Sequence, residues 1–161
     1  MSLINFKARN HRQQKPSEKV DDRSTTWEDF QEFSHNWGPF DLDAAALPHN
    51  AKCGWFYSPK RSGLTNPWSG RVWCNPPYSD IDRWVARAWD QSDNCERIVM
   101  LLPANRTEQA WWQDMIEPYR GKQIKVHFLR GRRRFIAHDD DQIRPNSRPP
   151  FGVCLVIWDH G

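Results

Sequence analysis

Trp27, Phe30, Phe33 and Trp37 recur near helical spacing and predict an amphipathic helix of about three turns. Thr25-Thr26-Trp27-Glu28 ahead of it reads as a capping box, in which a Thr hydroxyl caps the amide three residues on and Glu28 reaches back. Gly38-Pro39 ends the helix. Phe40-Asp41-Leu42-Asp43-Ala44-Ala45-Ala46 then reads as a strand leading into a turn. Residues 47–70 are irregular, with one short strand at Trp55-Phe56-Tyr57. Arg71-Val72-Trp73-Cys74 is a strand that two prolines stop in Asn75-Pro76-Pro77-Tyr78. Ile81, Trp84, Val85, Ala88 and Trp89 form the strongest helical period in the chain, opened by Ser79-Asp80. The unbroken apolar run within Arg97–Pro103 predicts a buried strand. A helix over 106–117 and strands over 123–129 and 151–158 complete the pattern. Buried strands alternating with helices predict an α/β fold, with a mostly parallel sheet and an antiparallel terminal strand pair.

Length and charge refine this picture. A chain of 161 residues suits one compact domain. Lys7, Arg9, Arg12, Lys15, Lys19 and Arg23 stud a stretch poor in apolar residues. Residues 1–23 are therefore expected to be a basic flexible tail, and 24–161 the folded domain. No run approaches the roughly 20 apolar residues that span a bilayer, and the N-terminus lacks the apolar core of a secretory signal. Cys53, Cys74, Cys95 and Cys154 are scattered, with no C-x-x-C pair, which argues against structural zinc and for a reduced, cytoplasmic setting. No metal is expected. The net charge of +3 is too small to name a nucleic-acid partner by itself. Locally, a basic block runs from Arg120 to Arg134, and Arg130, Arg132, Arg133 and Arg134 are the candidates for holding phosphates. Asp139-Asp140-Asp141 reads as a solvated loop and His127 as a structural histidine. Asp41 and Asp43 share a strand face at nuclease-like spacing, but no catalytic Lys accompanies them.

The chain holds 10 Trp, an unusual number for a mean hydropathy of −0.88. Trp27, Trp37, Trp84 and Trp89 fall on helix faces and are expected in the core. Trp55, Trp68 and Trp73 lie in the irregular region and are candidates for stacking on a flat ligand.

The Asn75-Pro76-Pro77-Tyr78 quartet carries specific chemistry. At typical residue frequencies it occurs by chance in about one chain in 2,000 of this size. It also follows a buried strand, where open α/β sheets bind ligands. An exocyclic amino group on a base is a poor nucleophile, because its lone pair is delocalised into the ring. Two acceptors aimed at its N–H groups favour the tetrahedral geometry needed for attack. The Asn75 side-chain oxygen and the Pro76 carbonyl supply them, and Tyr78 offers a flat ring for stacking. Positive charge developing on nitrogen is thereby stabilised without a metal or a strong base.

With its neighbours, the quartet resembles the S-adenosylmethionine-dependent, phage-type DNA N6-adenine methyltransferases of the Dam type. Thr25-Thr26-Trp27-Glu28-Asp29-Phe30 is similar to that family's Thr-Pro opening segment, with Thr26 in place of Pro. Gly38 to Ala46 resembles its first-strand motif, and Asn50-Ala51-Lys52-Cys53 its N-A-K-C. Gly63-Leu64, Trp68, Trp73 to Tyr78, Leu101-Leu102-Pro103-Ala104 and Phe128 to Arg132 continue the register, so the likeness covers residues 24–158. The resemblance implies a Rossmann-like methyltransferase fold, S-adenosylmethionine as cofactor, double-stranded DNA as partner and a phage or bacterial host setting. It implies catalysis by Asn75, Pro76, Pro77 and Tyr78. It also places Thr25, Asp43, Ala44, Asn50 and Asn75 near the cofactor; for Asp43, a helix N-cap is the alternative. Two departures stand out: Ala44-Ala45-Ala46 replaces a glycine-rich loop, and Arg61-Ser62 replaces the acids usual before Gly-Leu. The expected activity is methyl transfer to adenine N6 in DNA. The alternatives are an amino-methyltransferase of RNA or of a protein glutamine, or an inactive DNA-binding accessory protein of the same fold.

Overall fold

The computed structural model describes residues 23–133, 135–137 and 151–160. Its centre is a six-stranded sheet. In chain order the strands are β2 (Leu42–Asp43), β3 (Trp55–Phe56), β4 (Gly70–Cys74), β5 (Cys95–Pro103), β6 (Ile124–Phe128) and β8 (Val153–Asp159), and in space they run β3-β2-β4-β5-β8-β6. The first four are mutually parallel, and β8 is antiparallel to both β5 and β6. The expected parallel sheet with an antiparallel end is thus present. A separate two-stranded ribbon pairs β1 (Arg23–Thr25) with β7 (Phe135–Ala137). Neither ribbon strand carries an alternation long enough to be read from the sequence. Arg23, drawn as the last residue of the basic tail, is the first residue of β1; residues 1–22 lie outside the described residues, as do Arg134 and Asp139-Asp140-Asp141.

Alternation within the long strands explains why their apolar runs are unbroken. On β5, Ile98, Met100 and Leu102 join the core under α2 (Ile81–Gln91) and α3 (Ala110–Met115). Val99 and Leu101 join the core under α1 (Trp27–Trp37). On β8, Cys154, Val156 and Trp158 face the first core, while Val153, Leu155 and Ile157 face the second. A sheet covered on both faces requires apolar residues at every position.

The helices end where the sequence expects, with small shifts. The N-cap of α1 is Thr26 rather than Thr25: its Oγ1 accepts from the Asp29 amide at 3.2 Å, leaving Thr25 in β1. The predicted helix over 106–117 begins only at Ala110, because Arg106 to Gln109 form a turn and Gln109 is extended. It ends at Met115, and a 3₁₀ turn with Pro118 follows. The strand expected over 40–46 contracts to two residues.

Tryptophan placement departs from expectation in both directions. Trp84 and Trp89 are buried, but Trp27 is 51% exposed, with the Lys52 ammonium 4.5 Å from its ring centre, and Trp37 is half-buried. Trp68 and Trp73 are core residues, each 1% exposed, and so are not free stacking platforms. The Trp73 ring stacks on Phe33 at 5.5 Å and meets Phe30 edge-on at 5.5 Å. Trp68 packs beside Trp84 and donates Nε1–H to the Gly63 carbonyl at 2.8 Å. Of the three stacking candidates only Trp55 is exposed.

Trp73 joins the sheet to α1 two residues before the quartet. Trp73→Ala should lower unfolding free energy by about 3–5 kcal/mol, measured by urea denaturation.

Candidate active site

The order of the parallel strands reverses between β2 and β4. The connection from β2 leads outward to β3, and the one from β4 leads the other way to β5. Ligands of open α/β sheets bind in the crevice that such a reversal opens at the carboxyl ends of the strands. Asp43 and Trp73 are register partners on these two strands, so Asp43 and Asn75 emerge side by side at the crevice. A cavity of about 560 Å³ lies there, a volume typical of small-molecule sites. Its wall includes Thr25, Asp43, Ala44, Asn50 and all four residues of the quartet. The structure therefore gathers every cofactor and catalytic candidate around one space.

Asp43 is 3% exposed. Its Oδ2 accepts from the Lys52 amide at 2.9 Å and its Oδ1 from the Ala45 amide at 3.3 Å. Burial dominates and pushes its pKa up to about 6, with the two amides and the Lys52 charge opposing. It is no helix N-cap, since the segment after it is a turn. Asn50 orders that turn by accepting from the Leu47 amide at 2.9 Å, and Lys52 Nζ donates to the Asn50 carbonyl at 3.2 Å.

The missing glycine loop has a structural counterpart. Gly63 is buried against the alanine turn, and a Cβ there would lie 2.2 Å from the Ala44 carbonyl oxygen and 3.1 Å from the Trp84 ring. The close backbone approach is thus met from the opposite wall, by the Gly-Leu segment. Arg87 fastens that segment from α2, donating to the Gly63 and Asn66 carbonyls at 3.1 and 2.6 Å. Arg61 is exposed and reaches over the Tyr57 ring, while Ser62 borders the cavity. Tyr57 holds the same loop by donating to the Pro67 carbonyl at 2.6 Å.

The quartet is braced on two sides. Asn75 Nδ2 donates to Thr25 Oγ1 at 3.2 Å. On the other side Arg106 donates to the Tyr78 carbonyl at 2.9 Å, with its guanidinium 6.0 Å from the Tyr78 ring centre. Sequence reasoning missed Arg106, Gly63 and Lys52 as site residues; the latter two stand in segments it quoted, and nothing local marks Arg106. Asp41 belongs elsewhere: it is exposed, and its Oδ2 accepts from the Arg71 amide at 2.9 Å. Asp41 lies just before the two-residue strand that holds Asp43, and among the described residues no group of His, Cys, Asp or Glu is arranged to hold a metal.

The basic block divides. Arg130 and Arg132 are exposed on the loop after β6. Arg133 instead pairs with Asp29 at 3.1 Å and Glu32 at 2.7 Å on α1. Two carboxylates occupy its charge and would repel a phosphate, so it fastens the loop to the helix.

A family model described as DNA N-6-adenine-methyltransferase (Dam) matches residues 12–160. The chain belongs to this family. Among its relatives, a DNA N-6-adenine-methyltransferase of Escherichia phage T1 is 41% identical over 80 residues, covering 48% of this chain and 33% of that protein. One of Haemophilus phage HP1 (strain HP1c1) is 35% identical over 119 residues, covering 72% of this chain and 66% of that protein. The chain thus spans a third of the first relative and just under two thirds of the second. Like the family's name, the fold is consistent with a Rossmann-like methyltransferase. Among the described residues no helix is long and apolar enough to cross a membrane.

The raised pKa of Asp43 has a thermodynamic consequence. The folded state binds the proton more tightly than the unfolded chain, so Asp43 favours folding fully below about pH 4 and loses that contribution as pH rises through about 6. The shift corresponds to about 3 kcal/mol. The stability difference between wild type and Asp43→Asn should move by up to that amount in the variant's favour between pH 4 and pH 7, read by denaturant titration at each pH.

Proposed function

We propose that the protein transfers a methyl group from S-adenosylmethionine to the N6 amino group of adenine in DNA. The observation that carries this reading is the convergence of Asn75, Pro76 and Tyr78 with Asp43 around one cavity at the switch point of the sheet.

The residues present suit the cofactor. S-adenosylmethionine supplies an electrophilic methyl group on a positively charged sulfur. A buried carboxylate whose ionisation is opposed by burial gains from a cationic ligand beside it, and Asp43 meets that description. The alanine turn and Gly63 leave a narrow wall without bulky side chains, against which an extended ligand can lie. Thr25 and Asn50 border the same space.

On the substrate side, Asn75 Oδ1 and the Pro76 carbonyl would accept the two N–H groups of the adenine amine. The amine's lone pair then turns out of the ring plane towards the methyl donor. Tyr78 borders the cavity with 5% of its surface exposed, packed beside Phe151 and held through its carbonyl by Arg106, so a base would meet only the part of the ring that faces the cavity. The target base must leave the duplex, because its amino group is out of reach within the stack. Arg130 and Arg132 would hold backbone phosphates beside the site, with Arg134 and the basic stretch before Arg23 as further candidates.

Three outcomes are expected. Tritiated S-adenosylmethionine with adenine-containing duplex DNA should yield label on N6-adenine, and Asn75→Ala should reduce turnover at least about a thousandfold while leaving the melting temperature unchanged. No label from folded, cofactor-binding protein sinks the proposal. Label on RNA or on a protein glutamine in competition would redirect it, and absence of cofactor binding by calorimetry would favour a non-catalytic DNA-binding role. Arg130→Gln and Arg132→Gln should each reduce the slope of log affinity against log salt by about 1. Arg133→Gln should leave the slope unchanged and lower the melting temperature instead.

A further inference from the structure

We propose that Thr25 is a positioning residue that anchors the Asn75 side-chain amide at the cavity wall, with its nitrogen on the Thr25 hydroxyl and its oxygen available to the substrate amine. The inference rests on the reading of Asn75 as acceptor for that amine.

A primary amide is nearly symmetric in shape but opposite in hydrogen bonding at its two ends. One end donates twice and the other accepts. An exocyclic amine on a base, its lone pair delocalised, offers donors only. A quartet with the amide turned the wrong way would place donors against donors. A threonine hydroxyl can donate or accept, so it does not choose between the two ends by itself; it fixes where the amide sits, and a donor-only substrate amine then takes the oxygen while the nitrogen rests on the hydroxyl.

Thr25 Oγ1 accepts from Asn75 Nδ2 at 3.2 Å. With Nδ2 held there, Oδ1 is the end turned away from Thr25. Neither partner is free to adapt. Asn75 directly follows β4, and the proline after it restricts its backbone. Thr25 is 3% exposed and is paired with Phe135 across the β1–β7 ribbon. The next residue, Thr26, caps α1, and Arg133 fastens the loop before β7 to that helix through Asp29 and Glu32. The hydroxyl is therefore placed by the fold. Two residues 50 apart in sequence are brought into contact from separate sheets.

The test compares Thr25→Val, which removes the hydroxyl and keeps the shape, with Thr25→Ser, which keeps the hydroxyl. Thr25→Cys, a weak acceptor of similar size, serves as a second hydroxyl-less variant if Val perturbs folding. Under tritiated S-adenosylmethionine and saturating DNA, Val and Cys should lose about tenfold or more in kcat, the worth of one hydrogen bond. Thr25 also borders the cofactor space, so kcat is read at saturating cofactor with its Kd measured alongside by calorimetry, and Ser should keep kcat within about threefold of wild type. The side-chain amide proton resonances of Asn75, assigned by their absence in Asn75→Asp, should shift in Val and Cys and stay near wild type in Ser. Wild-type kcat in the hydroxyl-less variants, a loss confined to cofactor affinity, or unmoved Asn75 amide resonances would each overturn the assignment. The resonance readout needs no turnover. A wild-type protein that fails to methylate DNA therefore defeats the functional reading while this readout still judges the Thr25–Asn75 contact.

Discussion

The pairing of β2 with β4 is the constraint on which the rest of the site depends. It is short, with Leu42 opposite Val72 and Asp43 opposite Trp73. Yet it sets Asp43 level with Trp73, two residues before the quartet, on a neighbouring parallel strand about 4.8 Å away. A slip of one residue would turn Asp43 into the core beneath α2 and Leu42 out into the cavity. Burial resists that slip. Leu42, Val72 and Trp73 are each almost wholly buried, so the register with the carboxylate at the crevice is the one that hides the apolar side chains.

Tryptophan explains how so polar a chain holds such a register. The indoles pack in two groups. Trp73 lies under α1 among Phe30, Phe33 and Phe40, while Trp68, Trp84, Trp89, Trp111, Trp112 and Trp158 lie under α2 and α3. Large rings cover much area per residue, which matters where β2 and β3 contribute two residues each. The indole N–H groups also serve structure. Trp68 reaches the Gly63 carbonyl, and Trp89 reaches the Met115 carbonyl at 2.9 Å, tying α2 to the end of α3. Of the two uses that so many indoles could serve, filling a core or stacking on a flat ligand, the first accounts for most of them.

Much of this was legible in the chain because it is local. The period of Ile81 to Trp89, the apolar run within Arg97–Pro103 and the proline stop at Pro76-Pro77 each state their structure within a few residues. The quartet and its position after a strand were equally plain. The β1–β7 ribbon was not, since three-residue strands 110 positions apart leave no periodic trace. The roles of Trp68 and Trp73 were misread for a related reason: irregular sequence around them suggested exposure, whereas tertiary packing decides it. Arg133 shows the same limit for charge. It stands in the sequence among equivalent arginines, and only the fold brings Asp29 and Glu32 to it.

The site is accordingly a tertiary object, even though its best motif is four consecutive residues. In the proposed reaction Asn75 and Pro76 would supply the two acceptors for the substrate amine, and one anchor of the Asn75 amide comes from outside the motif. That anchor, Thr25, lies in β1, which is held against β7, while the loop leading to β7 is fastened by Arg133 to α1. The exposed Arg130 and Arg132 sit on that same loop. One continuous set of contacts thus runs from the cationic rim through α1 and the ribbon to the Asn75 amide. The aromatic core under α1 supports this set: Arg133 lies over the Phe33 ring at 5.7 Å, and Phe33 stacks on Trp73, two residues before Asn75. Loosening that packing would therefore be felt at the Asn75 amide from both sides, through β4 and through the contacts that place Thr25.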